Sequence, residues 1–165
     1  SLVNKSTYFQ GELDINYSDT SGTNKAIRLA SRSDVVVAVM GEHGLQSGEG
    51  RSRAKINLPG IQESFLKEIY KANNKVILVL MNGRPLDLSW VDENIPAVVE
   101  AWQLGTMSGE AISSVLFGDY NPSGKLPVSF PRSLGQVPIY YNHKSTGRPG
   151  PSDNCLLYTS DAADD

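Results

Sequence analysis

Two strongly apolar segments constrain the fold more than any other feature: "DVVVAVMG" at residues 34–41 and "KVILVLMNG" at residues 75–83. Each is a run of β-branched and aliphatic residues without polar alternation, and each ends in a glycine. Strands that are buried on both faces have this pattern, and they occur mainly in parallel sheets. The two runs therefore predict neighbouring parallel strands inside an α/β domain.

Three further segments carry apolar residues at the spacing of an α-helix: residues 23–33, 59–74 and 108–118. In the first segment, Thr23 or Asn24 is suited to cap the helix. Pro59 lies near the predicted start of the second, a position that proline favours. Ser108 is the predicted N-cap of the third. Helices are therefore predicted to alternate with the apolar runs along the chain.

Two weaker extended segments complete the pattern. The sequence "AVVEAW" at 97–102 predicts a third, shorter strand. "KLPVSF" at 125–130 predicts an edge or irregular strand, because its proline cannot donate to a sheet ladder. Strands that alternate with helices indicate βαβ crossovers. The predicted fold class is α/β, a three-layer α/β sandwich with a mostly parallel sheet and helices on both faces.

This sandwich is predicted to occupy residues 23–137, after a strand-and-loop lead-in at 1–22 and before an irregular extension at 138–154. The first ten residues are polar and lack an initiator Met, which predicts a fragment of a longer protein and places any signal peptide outside it. The tail "CLLYTSDAADD" at 155–165 resembles the translation of an adapter used in sequencing libraries. It is therefore predicted not to be native.

Charge and cysteine content argue against several function classes. The net charge is −3, and no cluster of Lys and Arg indicates contact with nucleic acid or with an anionic membrane. No apolar run approaches the roughly 20 residues that span a bilayer. The single cysteine, Cys155, excludes an internal disulfide. His43 and His143 lie far apart in sequence, so no metal site is predicted, and no phosphate-binding glycine motif suggests a cofactor.

The loop at residues 42–58 is the segment predicted to face a ligand. It follows the first strand, and in open parallel sheets ligands bind beyond the carboxyl ends of the strands. Glu42 at its start is interpreted as a structural carboxylate, bonded to backbone amides or to an arginine. Glu49 lies between Gly48 and Gly50. From composition alone, an ordinary solvated loop acid is the favoured interpretation of Glu49.

Residues near the ends of the other strands receive mainly structural interpretations. Arg84 is expected to hold the loop through hydrogen bonds to carbonyl groups rather than to contact a substrate. Trp102 offers a ring face suited to stacking on a sugar, but core packing is the favoured interpretation. The turn-forming residues of "FGDYNPSG" at 117–124 are expected to form a rigid turn.

Several of these segments together carry a family resemblance. "VVVAVMGEHG", "SGEGRSR", "INLPG", "VILVLMNGRPL", "FGDYNPSGKLPVSFPRS" and "GQVPIYYNHKSTGRP" follow one another in the chain. In this order they resemble the second domain of family 3 glycoside hydrolases, the family of β-glucosidases and β-xylosidases. The resemblance covers residues 30–149 and is greatest to broad-specificity β-glucosidases of the bacterial periplasm. It implies an α/β sandwich, in agreement with the pattern of strands and helices.

The resemblance also implies a mechanism and a set of site residues. Enzymes of this family retain the anomeric configuration, with an Asp nucleophile on a separate N-terminal (β/α)8 barrel and a Glu acid/base on a loop of the second domain. The stretch Ser47–Gly50 matches the context of that acid, which assigns the general acid/base to Glu49. Arg51 and Arg53 are the implied substrate-binding residues. The Tyr-Asp pair that usually follows is replaced here by Arg51 and Ser52.

The function expected from the resemblance is that of the acid/base-bearing domain of a retaining β-glycosidase that removes terminal non-reducing β-D-glycosyl residues. The expected substrate is a β-linked oligosaccharide or an aryl β-glycoside, and the expected partner is the missing barrel of the same chain. The parent enzyme is expected in the periplasm or outside the cell, and the fragment alone is expected to be inactive. The alternative is a noncatalytic binding or interaction domain of flavodoxin-like shape.

Overall fold

The computed structural model describes residues 20–136 and residue 139. In chain order its helices and strands are α1 (Thr23–Ala30), β1 (Val36–Gly41), α2 (Gln62–Ala72), β2 (Val76–Met81), α3 (Ser89–Asn94), β3 (Ala97–Glu100) and α4 (Ser108–Leu116), with single 3-10 turns at Gly44–Gln46 and Leu134–Gln136. This alternation confirms the predicted α/β class. The predicted lead-in (1–22), extension (138–154) and non-native tail (155–165) lie almost wholly outside the described residues and stay predictions.

The three strands form one parallel sheet in the order β1-β2-β3. Val36 pairs with Val76 at one end of the first pair of strands, and Gly41 pairs with Met81 at the other. The strands predicted from the two apolar runs are thus confirmed. The third strand is shorter than predicted, because Trp102 has a φ of 52° and turns the chain out of the sheet.

The hydrophobic core lies on one face of the sheet. Leu78 and Leu80 of the central strand are fully buried there. They belong to a cluster that also contains Ala26, Ala30, Leu58, Leu66, Ile69, Val76, Leu86, Val91 and Ile95. On the opposite face, Val37 and Val39 of β1 are 47% and 58% exposed. The described helices α1 and α2 therefore cover the first face, and β2 is the most buried strand.

Three details of the predicted elements are wrong. Neither Thr23 nor Asn24 caps α1, and Ser108 is the first residue of α4 rather than its N-cap. The reason is that a backbone turn leads into each helix, with the Thr23 amide bonded to Thr20 and the Ser108 amide bonded to Gly105. The segment 125–130 forms no strand in the structure, and its Pro127 has no N–H to contribute to a sheet.

None of the helices in the described part of the chain has the length and apolar character required to cross a membrane.

Polar side chains lie at the carboxyl edge of the sheet: Glu42 and Asn82 directly after β1 and β2, and Glu100 at the end of β3. Glu100 is half-buried, and burial raises the pKa of its carboxyl group. The Trp102 amide, which donates to Glu100 Oε1 at 2.9 Å, and the Asn82 side chain act on this pKa in the opposite direction. Burial is the largest of these effects, so the pKa of Glu100 is raised overall.

Replacing Leu78 tests the position of the core. Leu78→Ala should lower the free energy of unfolding by about 2–5 kcal/mol, because it deletes a fully buried side chain. Val39→Ala is the control on the neighbouring strand, and its effect should stay within about 0.5 kcal/mol because Val39 is 58% exposed. Urea unfolding of the 165-residue chain measures both. Equal losses would contradict the placement of Leu78 in the core and of Val39 on an exposed part of the sheet.

Replacing Glu100 tests its raised pKa. A carboxyl group with a raised pKa in the folded state stabilises the fold below its unfolded pKa of about 4.3 and loses that contribution as pH rises. Glu100→Gln mimics the protonated side chain and does not titrate. The stability of this variant relative to the wild type should therefore increase between pH 4 and pH 7, measured by urea unfolding. A difference that is constant with pH, or that falls, would contradict the raised pKa.

Candidate functional site

The candidate site is the loop between β1 and α2, which lies at the carboxyl edge of the sheet. Its first turn, the 3-10 turn at Gly44–Gln46, is held by a reciprocal pair of hydrogen bonds. His43 Nδ1 accepts from the Leu45 amide at 3.1 Å, and Gln46 Oε1 accepts from the His43 amide at 3.0 Å. These are the bonds of a capping box, and they fix the path of the chain up to Gln46.

The start of the loop is fixed on its other side by Gln62, the first residue of α2. Gln62 Nε2 donates to the Gly41 carbonyl at 2.7 Å, and Gln62 Oε1 accepts from the Gly41 amide at 2.8 Å. Gly41 has a φ of 146°, and a Cβ there would lie 1.9 Å from the Met81 carbonyl oxygen. Only glycine fits this approach, which brings the end of β1 against the end of β2.

Glu42 is a buried carboxylate bound by two arginines. Its side chain is 0% exposed, and Oε1 lies 2.7 Å from Arg53 Nη1 and 3.0 Å from Arg84 Nε. The Gly83 amide donates to Oε2 at 3.2 Å. This agrees with the interpretation of Glu42 as a structural carboxylate. With its oxygens engaged by these donors and closed off from solvent, Glu42 is not placed to exchange a proton with a ligand.

Arg84 connects this buried carboxylate to the loop. Its Nη2 donates to the Gln46 carbonyl at 2.5 Å and to the Arg51 carbonyl at 2.9 Å. Asn82 Nδ2 donates to the carbonyl of Arg84 itself at 2.8 Å, which fixes the backbone that carries the guanidinium. The interpretation of Arg84 as an arginine that holds the loop through carbonyl groups is confirmed.

The two arginines expected to bind substrate differ in their surroundings. Arg53 is engaged with Glu42 through Nη1 and with the Asn57 carbonyl, at 2.9 Å, through Nη2. Arg51 is exposed, and its side chain has no hydrogen bond or ion pair with other residues of the described ranges. The guanidinium of Arg51 is therefore the one that remains available to a ligand. Substrate contact by either residue stays a prediction.

Glu49 lies in the tip of the loop, which we define as residues 47–50. Gly48 and Gly50 on either side have φ values of 116° and 70°, conformations that favour glycine. Glu49 is exposed, and within residues 20–136 its carboxylate has no hydrogen-bond or ion-pair partner. The structure thus gives the two acids of this loop opposite environments, one buried and paired, the other exposed and unpaired.

Sequence reasoning missed two residues of this edge, Gln62 and Asn82. Asn82 is completely buried, and its Oδ1 has no hydrogen-bond partner among the described residues. The available signals were a glutamine in the first turn of a helix and an asparagine directly after a buried strand.

Trp102 packs against Phe130 with ring centroids 5.7 Å apart, in agreement with a packing role. Residues 118–124 are exposed.

The described residues contain no group of three or more His, Cys, Asp or Glu side chains that is arranged to hold a metal ion. Of the two acids of the loop, Glu49 is the one exposed to solvent. An exposed carboxyl group can donate or accept a proton when a reacting group comes within hydrogen-bond distance. A second catalytic group is needed for most reactions of that kind, and the tip has none beside Glu49.

Comparison with known proteins places the chain in a family. The family model described as the glycosyl hydrolase family 3 C-terminal domain matches residues 4–163. The match thus extends into the tail at 155–165. The periplasmic β-glucosidase of Salmonella typhimurium is 48% identical over 137 residues, which is 83% of this chain and 18% of that protein. The β-xylosidase of Formosa agariphila is 44% identical over 137 residues, with 83% of this chain and 19% of that protein covered.

A solved structure gives the same result. A mutant β-glucosidase of Listeria innocua in complex with laminaribiose superposes with a TM-score of 0.79 at 36% identity, and the match covers 87% of this chain and 20% of that one. The chain thus spans about a fifth of the length of these relatives. By sequence and by fold, it belongs to the C-terminal domain family of the family 3 glycosyl hydrolases.

Proposed function

We propose that this chain is the acid/base-bearing domain of a retaining β-glycosidase that removes terminal non-reducing β-D-glycosyl residues, and that Glu49 is the general acid/base. The relatives at 48% and 44% identity are named a β-glucosidase and a β-xylosidase, so both glucosides and xylosides fall within the proposal. A β-linked oligosaccharide or an aryl β-glycoside is the substrate class. The family match covers most of the chain and disfavours the alternative of a noncatalytic flavodoxin-like module.

The contrast between Glu49 and Glu42 carries the assignment of the acid. Both carboxylates belong to the loop at the carboxyl edge of the sheet, where ligands bind in such folds. Glu42 is 0% exposed and paired with Arg53 and Arg84, whereas Glu49 is exposed and unpaired within the described residues. A residue that must approach a leaving-group oxygen needs the second environment.

The proposed reaction has two steps and requires a second carboxylate from the barrel that lies outside this chain. In the first, an Asp of the barrel attacks the anomeric carbon, the glycosidic C–O bond breaks, and Glu49 gives its proton to the leaving oxygen. In the second, Glu49 takes a proton from water, whose oxygen attacks the same carbon and releases the Asp. Retention requires the two carboxyl groups to lie about 5–5.5 Å apart.

The cellular location follows the same relationship. One relative is a periplasmic β-glucosidase at 48% identity. We therefore propose that the full-length enzyme acts in the periplasm or outside the cell, where oligosaccharides from the surroundings are accessible.

Replacing Glu49 in a full-length enzyme that carries this domain tests the assignment. For aryl β-glucosides with poor leaving groups, Glu49→Ala should lower kcat/KM by about 10²–10⁴-fold, because the departing oxygen is no longer protonated. For activated aryl glucosides kcat/KM should change little, and azide should restore turnover by taking the place of the water that Glu49 activates. Glu93→Ala, an exposed acid on α3, is the matched control. Equal losses with both kinds of substrate, without azide rescue, would contradict the role of Glu49.

The 165-residue chain by itself should hydrolyse no aryl β-glucoside, because the proposed nucleophile is on another domain. The measurement is release of the aryl group by the purified chain, with buffer alone as the blank and a full-length family member as the positive control. Cleavage by the chain that disappears in its Glu49→Ala variant would show that the chain carries its own nucleophile.

A further inference from the structure

We propose that Arg84 is a positioning residue for Glu49, an inference that rests on the proposed role of Glu49 as the acid/base. Arg84 Nη2 donates to the carbonyl groups of Gln46 and Arg51, at 2.5 and 2.9 Å. These residues lie three positions before and two positions after Glu49 in the chain. One nitrogen atom therefore bonds to the two residues that flank the tip (47–50) and fixes their separation.

The guanidinium can hold the tip in place only because it is itself anchored. Arg84 Nε lies 3.0 Å from Glu42 Oε1, and Glu42 also receives Arg53 and the Gly83 amide. The Glu42 side chain is closed off from solvent, and the Arg84 side chain is 21% exposed. Low exposure weakens the screening of this ion pair by solvent. The base of the loop is therefore fixed to the end of β2 by an ion pair that leaves Arg84 Nη2 directed at the tip.

A second contact, between Ser47 and Gly83, holds the tip close to the end of β2. A Cβ built on Gly83 would lie 1.9 Å from Ser47 Oγ and 2.7 Å from Ser47 Cβ. No side chain fits between them, so the glycine allows the first residue of the tip to touch the backbone that precedes Arg84. The tip is thus located by its two ends and by Ser47, while Glu49 itself remains without a partner in the described residues.

This arrangement matters for proton transfer because the tip contains two glycines in left-handed conformations, which restrict the backbone little. A general acid must come within hydrogen-bond distance of the oxygen that it protonates. A displacement of about 1 Å, caused by a change remote from the reacting atoms, reduces rates by about 10²-fold. Arg84 acts on the reaction through the tip.

The experiment measures the effect of Arg84→Lys in a full-length enzyme that carries this domain. Lysine has one nitrogen in place of the guanidinium fork, so it cannot hold Glu42 and both carbonyl groups together. For aryl β-glucosides with poor leaving groups, kcat should fall by about 10²-fold with KM nearly unchanged. Activated aryl glucosides should lose much less. Arg28→Lys on α1, an exposed arginine whose side chain donates to the Asn24 carbonyl of the same helix, is the matched control.

A double-mutant cycle separates positioning from a general effect on the fold. If Arg84 acts through Glu49, then adding Arg84→Lys to Glu49→Ala should change kcat/KM by no more than about twofold, because the group to be positioned is gone. A further loss as large as in the wild-type background would overturn the proposal. If Glu49→Ala alone shows no dependence on the leaving group, the proposed function fails; if only the coupling is missing, the positioning proposal fails.

A second pair of variants applies where Arg84→Lys does not fold. Gly83→Ala places a Cβ against Ser47 and displaces the tip without removing any charge. It should reproduce the loss of kcat with poor leaving groups. Gly83→Ala combined with Ser47→Gly removes the clash and should recover most of that kcat. The claim that the contact between Ser47 and Gly83 fixes the position of the tip would be overturned by either of two results. One is a wild-type kcat in Gly83→Ala, and the other is no recovery of kcat in the combined variant.

Discussion

The rest of the site depends on the ion pairs of the buried Glu42 carboxylate with Arg53 and Arg84. A charge taken out of water is strongly unfavourable unless partners compensate it. Glu42 has such partners in Arg53, Arg84 and the Gly83 amide, at 2.7 to 3.2 Å. Arg53 comes from the far side of the loop and Arg84 from the end of β2. The loop can satisfy Glu42 only by folding back over the strand ends, so one ion-pair cluster fixes its overall path.

The parallel sheet makes this cluster possible. Gly41 pairs with Met81, and the Glu42 amide donates to the Met81 carbonyl at 2.8 Å, so the residues that follow β1 and β2 emerge side by side. Glycines at 41 and 83 remove the side chains that would keep these segments apart. The close approach converts a distant pair in sequence, Glu42 and Arg84, into direct neighbours. Apolar packing positions the strands, and the strands in turn position the charges.

The sequence alone predicted the strands and the structural roles of two charged residues, Glu42 and Arg84. Runs such as residues 76–81 have no polar alternation, a pattern typical of strands in parallel sheets. Glu42 and Arg84 stand directly beside strand ends, so structural roles followed from position. The caps of α1 and α4 were wrong because backbone turns replaced side-chain caps. The role proposed for Glu49 came from family resemblance, since a glycine-flanked exposed acid looks like any solvated acid. In that proposal its chemistry depends on a nucleophile outside this chain.

The site therefore combines a fixed base with a tip whose backbone is held in place and whose acid has no partner among the described residues. A tip bonded closely to the sheet would keep Glu49 in place but would also engage its carboxylate, as happens to Glu42 seven residues earlier. A tip without any attachment would carry a free carboxylate with no defined position. Bonding the carbonyl groups of residues 46 and 51 avoids both outcomes, because the backbone is held while the Glu49 side chain has no partner in the described part of the chain. The role proposed for Glu49, an acid/base that meets a nucleophile on another domain, requires this division.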